Sequence, residues 1–265
     1  MGFPRILNGR DGLNCKSFIR TAAKVVLPCA IQQKLKRSDP FSDLIRFSQT
    51  DALVSYSQEG EDLLLRRLLD LDQRVGTGFY IDVGSHHPSH FSNTLFFYLR
   101  GWRGINIDAM PGSMELFRRW RPNDINIEAA ISETHQELIY YSFNEPALNG
   151  FSKELSETRD NFRHYRLVGR QLIQTQTLSD VLDKFMSESS EIDFLSVDVE
   201  GLDYQVLHSN NWAKYRPKFV LAEDFQVEVF GSGGTNSVSG LMMQLGYNIV
   251  AKTAHTLIFR DEVSK

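Results

Sequence analysis

The sequence predicts an α/β fold in which a mostly parallel, Rossmann-like sheet ends in an antiparallel hairpin. Short apolar runs alternate with segments of helical periodicity over most of the chain. This alternation is typical of a parallel sheet, because the helices that join parallel strands cover both faces of the sheet. The last two apolar runs, 247–252 and 256–260, follow one another too closely for a helix to lie between them. We therefore expect them to form the hairpin.

The predicted elements follow in a regular order. Buried strands are expected, in chain order, at 79–83, 104–108, 125–131, 192–199 and 218–222. Helices are expected at 63–71, 93–100 and 111–120. Acidic residues precede and begin the first helix, where the helix dipole stabilises them. The third helix begins with a proline, whose missing N–H costs no hydrogen bond in the first turn.

A polar insert near 138–177 separates the third and fourth of these strands. It contains expected strands at 138–143 and 172–177, which flank a segment, 152–170, that we expect to be helical. If the insert folds upward, it lies over the carboxyl end of the sheet, where ligands bind in such folds. Its basic residues could contact an acidic ligand, although a charged helix face is usually only solvated. These residues are Arg159, Arg163, His164, Arg166 and Arg170.

The chain is expected to divide into an N-terminal extension, 1–54, and an α/β domain, 55–265. Within the extension, the stretch 17–31 mixes apolar and basic residues but is too short to cross a bilayer. We expect this stretch to form a helix that packs on the domain. A weak contact with a membrane surface is the alternative.

The composition predicts a globular protein of a reducing compartment, which we take to be the cytoplasm. Hydrophobic residues make up 42% of the chain and charged residues 23%, close to globular averages. The net charge of -4 comes from interspersed acids and bases, so we expect no nucleic-acid partner. Cys15 and Cys29 form no CxxC pair and are expected to be free thiols. No transmembrane segment is expected, and a homodimer is left open.

Acidic residues end three of the predicted strands: Asp82, Asp108 and Glu128. The ligand crevice of an open parallel sheet lies at the carboxyl ends of its strands, so these side chains should point to one place. Asp108, roughly 20 residues after the first glycine turn, is placed to accept hydrogen bonds from a ribose diol. Only Gly84 stands where a dinucleotide fold shows GxGxxG, which disfavours a pyrophosphate. The pattern favours S-adenosylmethionine, although a lone DxG is also common in ordinary turns.

Six segments together resemble the FkbM methyltransferase family. They are YSQEGED at 56–62, FYIDVG at 79–84, FSNT at 91–94, INID at 105–108, AAIS at 129–132 and FLSVDVEG at 194–201. The resemblance covers roughly 56–260. It implies a class I methyltransferase fold with seven strands, S-adenosylmethionine as the donor, and usually O-methylation of a sugar or natural-product hydroxyl.

The resemblance also implies which residues contact the donor: Gln58, Asp82, Gly84, Ser85, Asn93, Asp108, Glu128 and Ala129. Gln58 and Asn93 would border the donor, Asp82 and Gly84 would lie near its methionine part, and Asp108 would bind its ribose. The 128–130 segment would lie near adenine. The chain departs from the family pattern at 85–88, which is SHHP where members often have a small residue, asparagine and glycine.

A second acidic group, Asp198, Glu200, Glu223 and Asp224, follows the fourth and fifth core strands. Crowded carboxylates repel one another unless they are protonated or neutralised, and oxygen ligands suit Mg²⁺. We therefore consider Asp198, Glu223 and Asp224 as ligands of a Mg²⁺ ion that would bind acceptor hydroxyls. Alternatively, Asp198 lies beside the donor's sulfonium and Glu200 caps a helix or forms an ion pair. Asp198, Glu200 and His86 are the candidate catalytic residues, and His86 is the preferred base because its loop borders the donor.

Three other functions remain open at this point. The same fold supports N- or C-methylation. A dinucleotide-binding oxidoreductase is disfavoured by the missing glycines. A binding module without catalysis is disfavoured because so many carboxylates end at one edge of the sheet.

Overall fold

The computed structural model describes residues 53–186, 191–224 and 237–263. Residues 1–52, which make up most of the expected extension, are outside the described ranges. The helix expected at 17–31, the state of Cys15 and Cys29, and the domain boundary at 54 therefore stay predictions. Within the described ranges, no helix is both long enough and apolar enough to cross a membrane.

The described residues form ten strands and seven α-helices. The strands are β1 (Phe79–Val83), β2 (Arg103–Asp108), β3 (Ile125–Glu128), β4 (Ala130–Ile131), β5 (Glu137–Phe143), β6 (Leu167–Gln176), β7 (Phe194–Val197), β8 (Phe219–Glu223), β9 (Tyr247–Lys252) and β10 (Thr256–Asp261). The helices are α1 (Glu61–Leu68), α2 (Leu95–Tyr98), α3 (Met114–Trp120), α4 (Lys153–Arg159), α5 (Leu178–Phe185), α6 (Asp203–His208) and α7 (Val238–Gln244). A short 3-10 helix spans Pro146–Leu148.

Seven strands form the central sheet in the order β3-β2-β1-β7-β8-β10-β9. The first five pair in parallel, and β10 is antiparallel to both β8 and β9. The expected Rossmann-like sheet, mostly parallel with a terminal antiparallel hairpin, is therefore confirmed. The chain order reverses between β1 and β7, and ligands bind at such a reversal in open α/β sheets.

The strands are apolar throughout because both faces of the sheet are covered. Consecutive residues of one strand belong to different core clusters: Ile81 packs in one cluster and Tyr80 in the other. The same holds for Leu195 and Phe194. Side chains alternate between the faces of a strand, so two covered faces require continuous apolar runs.

Two expectations about the middle of the chain need correction. The run 125–131 is not one strand, because β3 ends at Glu128 and β4 joins a second sheet of order β4-β6-β5. The helix expected over 152–170 ends at Arg159, and residues 167–170 belong to β6. The side-chain carboxylate of Asp160 accepts the backbone N–H of Leu167 (2.9 Å). Leu167 is also the residue at which the antiparallel pairing of β6 with β5 begins, and a local helical pattern could not indicate that pairing.

Candidate functional site

Gly84 fixes the loop that follows β1. Its φ is 82°, and a Cβ atom placed on it would lie 1.8 Å from the carbonyl oxygen of Asp198. Only glycine tolerates both this backbone angle and this approach. The Gly84 N–H donates to the carbonyl of Ile107 (2.9 Å). The loop is therefore held between the carboxyl ends of β2 and β7.

Asp82 lies beneath this loop and lines neither of the two cavities described below. It is 5% exposed and accepts a hydrogen bond from the Thr94 hydroxyl (2.9 Å). Burial raises its pKa to about 6, while the guanidinium of Arg121 and the hydroxyl of Thr94 oppose the rise. Asp82 thus ties β1 to Thr94, and its expected position near the methionine part of the donor stays a prediction.

Arg121 is a positioning residue that the sequence analysis missed. It is 1% exposed and donates to the hydroxyls of Thr94 and Ser92, each at 2.7 Å, and to the carbonyl of Pro88. These bonds hold the segment 88–94 in place beside the first loop. Nothing in the sequence distinguishes Arg121 from its exposed neighbour Arg119, because its partners are 27 to 33 residues away.

Asp108 ends β2 with both carboxylate oxygens engaged. Oδ2 accepts the backbone N–H of His86 (2.7 Å), and Oδ1 accepts that of Met110 (2.8 Å). Burial raises the pKa of Asp108, and these two hydrogen bonds oppose the rise. Each carboxylate oxygen has a second lone pair that can accept a ligand hydroxyl.

A first cavity lies between the ends of β1, β2 and β7 and the insert, with about 800 Å³ of empty space that is partly open to solvent. Gly84, Asp108 and Asp198 line it from the strand ends. Tyr140 and Phe151 line it from the insert, with their ring centroids 5.0 Å apart. Asp108 and Asp198 thus meet at one edge of the sheet. In the described part of the chain, neither Lys nor Arg lines this cavity.

The residues implied as donor contacts divide into two groups. Those that line the first cavity are Gln58, Gly84, Asp108 and Ala129. Asn93 instead lines a second cavity, and the Ser85 hydroxyl donates to the carbonyl of Ile107 (3.3 Å). Glu128 is exposed and accepts the backbone N–H of Gly112 (2.8 Å). The side chains of Ser85 and Glu128 therefore form hydrogen bonds with the backbone near the cavity.

The second cavity adjoins the first and has about 300 Å³ of empty space. Its lining residues are Gln58, Glu59, Glu61, Phe91, Asn93, Asp198, Glu223, His255 and Thr256. Gln58, Phe91 and Asp198 line both cavities. Asp198 therefore lies where the contents of the two cavities can meet.

The YSQEGED motif builds one wall of the second cavity. The carboxylate of Asp62, which is fully buried, accepts hydrogen bonds from the hydroxyls of Ser55 (2.6 Å) and Ser57 (3.0 Å) and from the N–H of Tyr56 (2.7 Å). The carboxylate of Glu61 accepts the N–H of Glu59 (2.9 Å). These two acids fold the motif tightly before α1 begins, which brings Gln58 and Glu59 to the cavities.

The β9–β10 turn supplies the opposite wall. Glu59 accepts the backbone N–H of His255 (3.1 Å), and its other oxygen lies 2.6 Å from Nδ1 of the same residue. The hydroxyls of Thr253 (3.3 Å) and Thr256 (3.4 Å) donate to Glu61. Segments almost 200 residues apart in sequence are therefore joined across the second cavity.

The acids of this region repel one another. Asp198 is exposed at the cavities, yet desolvation by the surrounding protein raises the pKa of its carboxyl well above the usual value, and the charges of Glu223 and Glu200 add to the rise. Burial also raises the pKa of Glu223 to about 8, with contributions from Asp203 and Glu200. Oε2 of Glu223 is buried, and no hydrogen-bond partner for it occurs among the described residues.

The expected metal ligands do not assemble. The carboxylate of Asp224 accepts the backbone N–H of Ser239 (3.0 Å) in the first turn of α7, and Asp224 lines neither cavity. Among the described residues, no group of three or more His, Cys, Asp or Glu side chains could hold a metal ion. Asp198 and Glu223 remain together in the second cavity without the third expected ligand.

His86, the expected base, lines the first cavity and not the second. Burial lowers its pKa. Nδ1 of His87 accepts the N–H groups of Ser89 (3.1 Å) and His90 (3.2 Å). The side chain of His87 therefore stabilises the turn that follows the SHHP segment.

A comparison with protein families shows which family the chain belongs to. The family described as Methyltransferase FkbM domain matches residues 82–249, more than half of the chain. The chain belongs to the FkbM methyltransferase family. No curated protein matches the chain. The matched residues include the strand ends that carry Asp108 and Asp198, whereas the YSQEGED motif and β10 lie outside the match.

Proposed function

We propose that this FkbM methyltransferase transfers a methyl group from S-adenosylmethionine to a hydroxyl oxygen of a sugar, glycan or natural-product acceptor. The observation that supports this most directly is the pair of adjoining cavities that share Asp198. One cavity suits a nucleoside and the other suits a polar acceptor. A transfer reaction requires two ligands held side by side in this manner.

The first cavity fits the donor by shape and charge. Asp108 would accept the ribose hydroxyls, Ala129 and Ile131 would contact the adenine, and the loop at Gly84 would contact the methionine part. Bound there, S-adenosylmethionine supplies an activated methyl group on a positively charged sulfur. The lining carboxylates Asp108 and Asp198 complement a cation. A dinucleotide pyrophosphate would meet these same charges without a lining Lys or Arg among the described residues.

The second cavity fits a hydroxylated acceptor. Its lining side chains Gln58, Asn93 and Thr256 offer hydrogen bonds to hydroxyl groups. Its carboxylates would repel an acceptor that carries a carboxylate or phosphate. We therefore favour a neutral acceptor.

Asp198 is the proposed base for the acceptor hydroxyl. A general base works best when its pKa lies near the operating pH, and desolvation together with the charges of Glu223 and Glu200 raises the pKa of Asp198 above its usual value. Glu200 lies two residues away, and its negative charge contributes to the raised pKa of Asp198. His86 lines the donor side and would contact the donor. No step of this proposal uses Mg²⁺, and activity that is lost in EDTA and restored by Mg²⁺ would require one.

Calorimetry followed by an acceptor panel tests the proposal. We expect S-adenosylmethionine to bind and NAD not to bind; binding of NAD alone would support an oxidoreductase, and binding of neither a non-catalytic module. Mass spectrometry with a deuterated methyl donor then detects transfer to neutral, amino and acidic sugars. Transfer to oxygen of neutral sugars is the expected result. Transfer to nitrogen or carbon alone would replace O-methylation with the alternative chemistry of the same fold.

A further inference from the structure

The insert reaches the loop after β7 at several points. A Cβ atom on Gly150 would lie 2.9 Å from Cβ of Glu200, and one on Gly201 would lie 2.9 Å from Cδ1 of Leu155. Glu200 and Gly201 both have positive φ, 56° and 99°. The loop is therefore tightly turned, and the insert packs directly on it, two residues beyond Asp198.

Arg159 adds a charged contact to this packing. Nη2 of Arg159, the last residue of α4, lies 2.6 Å from Oε2 of Glu200. The two side chains are 22% and 19% exposed. Charged hydrogen bonds of this length are among the stronger ones in proteins, and partial burial limits their screening by water.

The same guanidinium faces the acids of the site. Burial raises the pKa values of Glu200 and Glu223, and the charge of Arg159 opposes both rises. Within the described residues, neither cavity is lined by Lys or Arg. Arg159 therefore supplies positive charge from behind Glu200, outside the cavities themselves.

We infer that Arg159 is a positioning residue, which fastens the insert over the donor cavity through Glu200 and offsets the negative charge beside Asp198. The inference rests on the proposed function, because it assigns the first cavity to S-adenosylmethionine. It differs from the expectation that Arg159 grips an acidic ligand, since its guanidinium is already paired with Glu200.

Two ligands that differ by one charge separate the two roles. S-adenosylmethionine is positively charged at sulfur, whereas S-adenosylhomocysteine is neutral there, and both would contact the insert in the same way. Loss of fastening weakens both ligands equally. Loss of the Arg159 charge makes the cavity more negative and shifts the affinity ratio toward the cationic ligand.

Calorimetry at pH 8 on the full chain measures both effects. Arg159→Gln should weaken S-adenosylhomocysteine by about tenfold, as expected for a lost charged hydrogen bond, and S-adenosylmethionine by only about threefold. Arg159→Lys should keep the wild-type ratio because it keeps the charge. Lys153→Gln removes one charge from the same helix at an exposed position and should change neither affinity. Equal weakening of both ligands in Arg159→Gln, or no weakening, would overturn the inference.

Glu200→Gln is a second variant, which should shift the ratio of the two ligand affinities in the opposite direction. It removes a negative charge, so the ratio should shift toward S-adenosylhomocysteine; an unchanged ratio would overturn the inference even if Arg159→Gln fails to fold. Wild-type protein that binds neither ligand would instead refute the proposed function.

Discussion

The two adjoining cavities differ in how their carboxylates are held. In the first cavity, both oxygens of Asp108 accept backbone N–H groups. In the second, Oε2 of Glu223 is buried without a partner among the described residues, and desolvation, with the charges of Glu223 and Glu200, raises the pKa of Asp198. The first cavity, which we propose binds the donor, is therefore preorganised by the backbone. The second cavity, which we propose binds the acceptor, contains electrostatic repulsion that a ligand or a proton would relieve.

The largest effect should come from the residue that the cavities share. Asp198→Asn removes the proposed base while keeping the size of the side chain, so kcat for methyl transfer to the best sugar of the panel should fall about 10²–10⁴-fold. The donor Kd should change far less, because Asp108 and Gly84 are unaltered. Glu133→Gln, an exposed substitution between β4 and β5, serves as the control. Wild-type kcat in Asp198→Asn would remove Asp198 from the chemistry.

The next largest effect should be on folding. Gly84→Ala combines a left-handed φ with a collision at the carbonyl of Asp198, and should lower the free energy of unfolding by about 3 kcal/mol or more. Gly112 has nearly the same φ, 81°, with open space around its Cβ position. Gly112→Ala should therefore cost only about 1 kcal/mol, the strain alone. Equal losses in thermal unfolding would show that the close approach of the two strand ends contributes nothing.

The preorganised side can be tested through Asp108→Asn. The new amide group must turn its NH2 toward the backbone N–H of either His86 or Met110, so one hydrogen bond is replaced by repulsion. We expect the Kd for S-adenosylmethionine to rise about tenfold in calorimetry. Glu128→Gln loses charge at an exposed carboxylate that holds one N–H, and its effect should be within about twofold. A larger effect at Glu128 than at Asp108 would contradict the assignment of the ribose end.

The smallest effect should be a change in stability with pH on the acceptor side. Glu223 has a folded-state pKa of about 8, above its usual 4.5, so between these values the folded state holds a proton that the unfolded state has lost. Stability should therefore fall as pH rises from about 4.5 to 8. Glu223→Gln removes this loss and should raise Tm at pH 8.5 by about 2–4 °C, with little change at pH 4.5. If the wild-type protein and Glu223→Gln lost the same stability between these pH values, the repulsion would not come from Glu223.

The sequence predicted the sheet better than it predicted the cavities. Strand ends such as Asp108 and Asp198 could be placed together because an open parallel sheet brings successive carboxyl ends to one edge. The boundaries of β9 agree with the expected 247–252 because alternation and turn residues are local signals. The orientation of a side chain is not a local signal. Asp224 follows a strand as Asp198 does, yet it bonds to the first turn of α7.

The missed features share one cause, which is contact over long sequence separation. Arg121 was overlooked because its hydroxyl partners lie in the segment 88–94, on another element. The YSQEGED motif was used for the resemblance and for the start of the first helix, but its link to His255 was missed because that link spans 196 residues. The misassigned helix is similar, since pairing with β5 determines the conformation from Leu167 onward.

The YSQEGED motif and the β9–β10 turn, which lie near opposite ends of the described residues, are in contact, and this contact bears on which residues determine acceptor specificity. Glu59 and Glu61 lie before the family match, and His255 and Thr256 lie after it, yet all four meet around the second cavity. A chain cut back to 82–249 would retain Asp108, Gly84 and Asp198 but would lose most of this wall. Under the proposed function, substitutions at these four residues should therefore change which acceptor is methylated, while the residues proposed to bind the donor stay the same.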